Sequence, residues 1–218
     1  MIEAVIFDLD GILIDSEHVW DEVRQQLAEE RGGRWNENAS RDMMGMSSIE
    51  WSRYMREVVG LEEEPEQISA EVVRRLEKRY RTEIPLIPGA EHAVERLASR
   101  WPLALASSSN RELIDLVLTE SGLGRFFRAS VSSEEVARGK PAPDVFLEAA
   151  RRLDAAPTRC AAIEDSENGI LAAEAAGMRT IAIPNPQYPP HEDALTSADL
   201  VLATIEELTQ AAVEPSEA

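Results

Sequence analysis

The spacing of hydrophobic residues changes along the chain and predicts two kinds of secondary structure. Near the start, Ile2 and the run Ala4–Phe7 form a short apolar stretch that is typical of a buried strand. From Val19 onward, hydrophobic residues recur at helical spacing, with Val23 and Leu27 on the same face. This second pattern predicts a helix that ends before the glycine pair at positions 32 and 33.

The helical pattern continues as far as residue 84 without a strand signal. Residues 34–47 are irregular, and a second helix is predicted from the serine pair at 47–48 to about Val59. A third helical stretch is predicted to begin at Ser69. We therefore expect residues 16–84 to be entirely helical.

From Pro85 the chain alternates between apolar runs and helical segments. Helices are predicted over 89–100, up to 122, over 144–153, up to 176 and from Thr204, and residues 213–218 are predicted to be a frayed tail. The predicted strands lie at 103–106, 129–131, 160–163, 180–183 and 200–202.

Strands that alternate with helices predict an α/β fold, in which a parallel, Rossmann-like sheet carries helices on both faces. The predicted core consists of residues 1–15 and 85–218, and the helical segment 16–84 is inserted after the first strand. Ligands of such sheets bind at the carboxyl ends of the strands. Candidate chemistry is therefore to be sought where the strands end.

Composition narrows the functional classes. The 218 residues include 22 basic and 41 acidic ones, a net charge of −19, which argues against binding to nucleic acid or to an anionic membrane. No apolar run reaches the roughly 18–20 residues of a membrane span, and the N-terminus lacks the basic region of a signal peptide. The single cysteine, Cys160, is expected to be a buried thiol in a reducing cytoplasm. A monomer is the default expectation.

Three predicted strands end in polar or acidic residues. Asp8 and Asp10 follow the first strand, Ser107 follows the second, and Glu164 and Asp165 follow a later one. Taken alone, Asp8 and Asp10 could be two solvated turn residues before a glycine. The convergence of several such ends at one edge of the sheet favours a functional site instead.

The residue types at this edge suit phosphoryl transfer. Carboxylates such as Asp8, Asp10, Glu164 and Asp165 are ligands that Mg²⁺ prefers, and one carboxylate of a pair can attack while the other transfers protons. Lys140, one of only two lysines, lies in a loop with one glycine and two prolines, and can neutralise a phosphate. The predicted cofactor is therefore Mg²⁺ and the predicted partner a small phosphorylated metabolite.

Four segments of this sequence together resemble the haloacid dehalogenase superfamily, in the subgroup of β-phosphoglucomutases and sugar-phosphate phosphatases. The matching segments span 8–15, 106–109, 139–144 and 163–169. The resemblance implies that 16–84 is a helical cap and that Asp8 is a nucleophile forming an aspartyl-phosphate. It implies that Asp10 is the general acid and base and a metal ligand through its carbonyl. It also implies phosphate binding by Ser107 and Lys140 and metal binding by Asp165, with Glu164 a ligand or a neighbour of one.

The remaining candidate substrate contacts have structural alternatives. They are Ser108 and Asn110 after the second strand, and Gly45 and Trp20 in the helical segment. Asn110 could instead cap a helix, and Trp20 could belong to the core of the cap.

Three functions stay open. The β-phosphoglucomutases carry basic or imidazole groups where this chain has Trp20, Ser48 and Asn110, so we favour a phosphatase of sugar or polyol phosphates over a mutase. An inactive binding protein of the same fold is the third alternative.

Overall fold

A computed structural model describes residues 1–36, 38–44 and 46–214 of the chain. It contains one parallel sheet of six strands in the order β3-β2-β1-β4-β5-β6. The predicted α/β class is confirmed. The strands are β1 (Ala4–Phe7), β2 (Leu103–Ser107), β3 (Phe127–Ser132), β4 (Cys160–Glu164), β5 (Arg179–Ala182) and β6 (Leu200–Val201).

The central strand β1 is buried on both faces, which explains its unbroken apolar sequence. Val5 and Phe7 belong to one hydrophobic cluster, whereas Ala4 and Ile6 belong to a second cluster across the sheet. This alternation follows from the period of two in a strand. Neighbours β2 and β4 flank β1, so the chain reverses its order of strand addition there, and ligands bind at such a switch point.

Helices contribute the rest of the regular structure. Five of them, α5 to α9, lie between β1 and β6 in the part of the chain that carries the other strands, and α10 follows β6. The bounds are α5 (Ala90–Ala98), α6 (Arg111–Glu120), α7 (Asp144–Arg152), α8 (Glu167–Ala175), α9 (Glu192–Ser197) and α10 (Gln210–Val213).

The segment between β1 and residue 84 contributes helices and, within its described residues, no strand to the sheet. Its buried apolar side chains belong to the larger of the two hydrophobic clusters. The helices are α1 (Glu17–Glu30), α2 (Ala39–Met43), α3 (Ser48–Tyr54) with a π-helical continuation over Met55–Val59, and α4 (Pro65–Tyr80).

Several predicted boundaries were wrong for local reasons. Helix α4 begins at Pro65 rather than Ser69, because Pro65 fits the first helical position and Glu64 and Gln67 form a capping box before it. Helix α2 lies inside the segment predicted to be irregular, and no element was predicted where α9 stands. The helix predicted from Thr204 is a 3₁₀ turn at Ile205–Glu207 followed by α10.

The predicted frayed tail is wrong for its first two residues. Val213 is fully buried in the larger hydrophobic cluster. Glu214 accepts a hydrogen bond from the Ile2 backbone N–H at 2.7 Å and pairs with Arg100. The first contact ties the end of the C-terminal helix to the residues before β1, and the second ties it to the segment after α5. The rest of the predicted tail lies outside the described residues.

Cys160 is a buried free thiol, as expected, and burial raises its pKa to about 11. Within the ranges described, no helix is both long and apolar enough to cross a membrane.

Candidate active site

The carboxyl ends of three adjacent strands lie side by side. Phe7, the last residue of β1, is in register with Leu105 of β2 and with Ile163 of β4. Asp8 therefore follows β1 beside the end of each neighbouring strand, and its backbone N–H donates to the Ile163 carbonyl at 3.0 Å. The strand register thus brings together the acidic and hydroxyl groups that lie far apart in the sequence.

Lys140 occupies the centre of this group. Its ammonium donates to Asp8 Oδ1 at 2.5 Å, to Glu164 Oε1 at 2.5 Å and to the Ala106 carbonyl at 3.0 Å. All three charged side chains are buried. Burial alone would lower the pKa of Lys140, but the charges of Asp8 and Glu164 outweigh it and raise that pKa.

Glu164 is held by the protein through both of its carboxylate oxygens. Oε1 faces Lys140, and Oε2 accepts from the backbone N–H groups of Asp165 and Ser166 at 3.0 and 3.3 Å. Its carboxylate lies against Gly169 on α8, where an added Cβ would stand 1.9 Å from Glu164 Cδ. Glycine is therefore required at position 169 for this carboxylate to reach Lys140.

A cluster of three carboxylates fits a divalent cation. One oxygen each from Asp8, Glu164 and Asp165 lie within 4.8 Å of one another, and all three residues are buried. Asp165 Oδ2 is buried without a hydrogen-bond partner, which leaves it available as a ligand. Burial and the neighbouring Glu164 raise the pKa of Asp165 well above its usual range. A bound cation would relieve this repulsion among hard oxygen ligands.

The turn after β1 makes room for that cluster. Gly11 has φ +80°, and a Cβ added there would lie 2.0 Å from Asp165 Oδ2. Both its backbone conformation and the close approach of Asp165 exclude a larger residue. The glycine after the two aspartates thus has a steric function.

The side chain of Asp10 is oriented by four donors and does not belong to the carboxylate cluster. Oδ1 accepts from Ser16 Oγ at 2.5 Å and from the indole N–H of Trp20 at 3.2 Å. Oδ2 accepts from Ser109 Oγ at 2.6 Å and from Ser107 Oγ at 3.4 Å. These donors fix the orientation of the Asp10 carboxylate beside the end of β1.

A cavity of about 50 Å³ adjoins these groups. It lies between the strand ends and the helical segment, because residues of α1, α2 and α3 contribute to its wall. Its lining residues are Asp8, Asp10, Glu17, Trp20, Arg24, Met43, Met46, Trp51, Ser108, Ser109, Lys140, Asp165 and Ser166.

The residues predicted to contact substrate differ in whether they line the cavity. Trp20 and Ser108 line the cavity, whereas Ser107 is fully buried beneath it and accepts from the Ser109 backbone N–H at 2.9 Å. Asn110 occupies the N-cap position of α6 but makes no capping hydrogen bond there; its side chain donates to Glu134 at 2.7 Å and does not line the cavity. Gly45 lies outside the described residues.

Sequence reasoning did not single out Glu17 or Arg24, which also line the cavity, and it gave Ser109 no role of its own within the matching segment 106–109. Glu17, Trp20 and Arg24 are three and four residues apart on α1, so they share one helix face. A charged residue on the same face as a tryptophan was the available signal. Burial and the nearby charge of Asp10 raise the pKa of Glu17 to about 7.

Polar contacts join the helical segment to the rest of the protein around the cavity. Ser48 Oγ donates to Glu134 Oε1 at 2.9 Å, and the Tyr188 hydroxyl donates to Asp21 Oδ2 at 3.3 Å. A ligand pocket typically encloses roughly 300–1,000 Å³, far more than the 50 Å³ here. The cavity is therefore smaller than a typical ligand pocket.

Comparison with known proteins places these features in a family. A family model for haloacid dehalogenase-like hydrolases matches residues 2–177. Hexitol phosphatase B of Escherichia coli K12 is 34% identical over 217 residues, covering 95% of each chain. The crystal structure of CbbY from Rhodobacter sphaeroides in complex with phosphate has a TM-score of 0.86 at 28% identity and covers 98% of this chain and 99% of that one.

A larger relative contains this chain's counterpart as a part. The bifunctional riboflavin kinase/FMN phosphatase of Arabidopsis thaliana is 33% identical over 204 residues, which are 93% of this chain. The chain spans only about half, 53%, of that relative's length.

Proposed function

The chain belongs to the haloacid dehalogenase-like hydrolases, and from this we propose that it is a Mg²⁺-dependent phosphatase of small phosphate monoesters, sugar or polyol phosphates, acting through an aspartyl-phosphate. One observation carries the proposal. The Asp8 carboxylate adjoins the cavity with Lys140 at 2.5 Å and with the oxygens of Glu164 and Asp165 nearby. This arrangement gives a nucleophile beside the positive charge that a phosphate needs.

In the proposed reaction, an Asp8 oxygen attacks phosphorus and the bond from phosphorus to the substrate oxygen breaks. Asp10 gives a proton to the departing alcohol and later takes one from the water that attacks the aspartyl-phosphate. Inorganic phosphate leaves and the Asp8 carboxylate is restored. The four donors around Asp10 hold its carboxylate in one orientation for these proton transfers.

Asp8 and Asp165, with Glu164 beside them, would hold the cation. When bound, Mg²⁺ would neutralise charge on the transferring phosphoryl group. Lys140 neutralises the same region from the protein side and holds Asp8 in a fixed orientation. Both oxygens of Glu164 already accept hydrogen bonds, so we assign it the orientation of Lys140 ahead of direct ligation.

The relatives support the substrate class. Hexitol phosphatase B and the FMN phosphatase both carry names of enzymes that act on phosphate esters of small metabolites. A small phosphorylated metabolite therefore stays the predicted partner, and a cytoplasmic monomer stays the predicted form.

The surroundings of Glu134 favour hydrolysis over a mutase reaction. Ser48 and Asn110 stand where the resemblance to β-phosphoglucomutases led us to look for basic groups, and both donate to Glu134. The Glu134 carboxylate would repel a phosphate placed against Ser48 and Asn110, a position outside the lining of the cavity that Arg24 adjoins. Water is then the proposed acceptor of the phosphoryl group.

We propose that the helical segment 16–84 acts as a cap that opens for substrate. The cavity of about 50 Å³ is smaller than a typical ligand pocket, so we infer that some lining residues move when substrate enters. The lining residues on α1, α2 and α3 belong to this segment. Closure would then exclude water other than the attacking molecule.

The test is phosphate release from sugar, polyol and nucleotide monophosphates by the wild type and Asp8→Asn, with Mg²⁺ and with chelator. We expect metal-dependent release by the wild type and loss of at least a thousandfold in the variant. Asp15→Asn is the matched control, because Asp15 belongs to the same sequence segment but is exposed and does not line this cavity.

Other results would favour the alternatives. Conversion of β-glucose 1-phosphate to glucose 6-phosphate without release of phosphate would indicate a mutase. No turnover on any ester, with ligand binding retained, would indicate a binding protein of this fold. Equal activity in Asp8→Asn and the wild type would reject Asp8 as the nucleophile.

A further inference from the structure

Arg24 is a buried cation on the wall of the cavity. It lies on α1 and is 5% exposed. Its Cζ is 4.6 Å from the ring centroid of Trp20 and 4.7 Å from that of Trp51, and the two rings pack edge to face at 5.8 Å. These contacts fix the guanidinium in place and leave it little freedom to follow a partner.

The guanidinium forms no ion pair with a carboxylate in the described ranges. No carboxylate there lies within 4.0 Å of its nitrogens, and Nε is buried without a hydrogen-bond partner. Lys140, the other buried cation of the cavity, contacts two carboxylates. Burying a charge without a partner is costly, so an unpaired arginine beside a substrate cavity calls for a ligand.

The groups facing Arg24 leave its charge in place. Burial lowers its pKa to about 10, and the charges of Glu17 and Asp21 on the same helix act in the opposite direction. Arg24 is therefore cationic at neutral pH. Glu17, Asp21 and Asp10 favour that charge from a distance without forming an ion pair. Asp21 accepts from Tyr188 instead, and Asp10 accepts from four other donors.

We propose that Arg24 binds a second anionic group of the substrate, at the end remote from the phosphate that Asp8 attacks. The inference rests on the proposed phosphatase function and narrows its substrate class. The preferred substrates are phosphate monoesters that carry a carboxylate or a second phosphate, such as phosphorylated sugar acids. The planar fork of the guanidinium matches the paired oxygens of either group, whereas a hydroxyl would satisfy one N–H and leave the charge uncompensated.

The two buried cations of the cavity come from different parts of the chain. Lys140 already contacts Asp8 and is placed for the transferred phosphate. Arg24 comes from a different part of the chain, on the helical segment, and shares the cavity with Lys140 without contacting Asp8. The two cations thus serve two separate anionic groups of one ligand.

The experiment compares three substrates that share one carbon skeleton: glucitol 6-phosphate, gluconate 6-phosphate and glucitol 1,6-bisphosphate. We expect wild-type kcat/KM to be at least tenfold higher for the gluconate ester or the bisphosphate than for the glucitol ester. Arg24→Met should lower that preference by about 10- to 100-fold, the range for hydrogen bonds to charged groups. The two acidic esters distinguish a carboxylate from a phosphate as the natural group.

Two further variants separate recognition from folding. Arg24→Lys keeps the charge but loses the fork, and should retain an intermediate preference. Arg31→Met, at the exposed end of α1, should match the wild type. Equal loss on all three substrates in Arg24→Met, or a wild-type preference for glucitol 6-phosphate, would overturn the proposal.

A measurement of ligand binding tests the role of Arg24 separately from the phosphatase function. Calorimetric titration of the same compounds into the wild type and Arg24→Met measures recognition without turnover. An Arg24-dependent preference for the acidic compounds without hydrolysis would support Arg24 and reject the phosphatase. Hydrolysis of glucitol 6-phosphate without any acidic preference would reject Arg24 alone.

Discussion

Lys140→Met removes the ammonium shared by Asp8 and Glu164 while keeping an unbranched side chain of similar length. The two ion pairs are both 2.5 Å long, and the three side chains are 3%, 8% and 0% exposed. Loss of the cation would leave two buried carboxylates facing each other beside Asp165. The perturbation is therefore electrostatic in a region that water hardly reaches.

Breaking a buried ion pair by removing one partner costs about 3–5 kcal/mol in the free energy of unfolding. Both carboxylates lose the same partner here, so we expect a loss near the upper end, about 4–5 kcal/mol, in metal-free protein. The sequence offers a matched control, because the only other lysine, Lys78, is exposed on α4. Lys78→Met should change the free energy of unfolding by less than about 0.5 kcal/mol.

Urea unfolding in the presence of chelator, followed by circular dichroism, measures both variants. Adding Glu164→Gln to Lys140→Met should recover about 1–2 kcal/mol, because it removes one of the two repelling charges. Equal stability of the two lysine variants would refute the reasoning, and so would strict additivity in the double variant.

Two shorter predictions follow from the same site. Gly169→Ala in α8 should lower the free energy of unfolding by about 1–3 kcal/mol, because the added Cβ would overlap Glu164. At an unobstructed helical position, the same substitution would raise the free energy of unfolding by about 1 kcal/mol. A higher urea midpoint for Gly169→Ala would contradict this prediction. In metal-free wild type, the raised pKa of Glu17 means that the folded state binds its proton more tightly than the unfolded state, so Glu17 lowers stability as pH rises from about 4.5 to about 7. Glu17→Gln should reduce this loss of stability by about 1–2 kcal/mol, a figure that allows for the partial exposure of the side chain. The measurement is urea unfolding at a series of pH values. An unchanged dependence of the free energy of unfolding on pH would contradict the prediction.

The parts of the fold that could be predicted from the sequence depend on residues that lie close together in the chain. The apolar run of β1 and the aspartates after it are contiguous, and the rarity of lysine drew attention to Lys140. The family match confirms the resemblance that these segments carried. The start of α4 at Pro65 was missed because the acidic run before it is typical of a loop. Glu64, the last residue of that run, instead caps the helix.

Parts of the site depend on contacts between distant residues, and these were not predictable. The Ser48–Glu134 hydrogen bond joins residues 86 positions apart. Arg24 is defined by Trp51, which another helix supplies. Periodicity assigns such residues to a helix face, but it does not say which neighbour that face meets.

The polar contacts between the helical segment and the sheet side of the cavity bear on how often the proposed cap would open. Ser48 donates to Glu134, Tyr188 donates to Asp21, and two residues of the helical segment donate to Asp10. At about 1 kcal/mol each, these four hydrogen bonds together would favour the shut state about a thousandfold. In the proposed cap, open molecules would then be a minor population that arises without an external trigger. Release of inorganic phosphate would depend on that spontaneous opening.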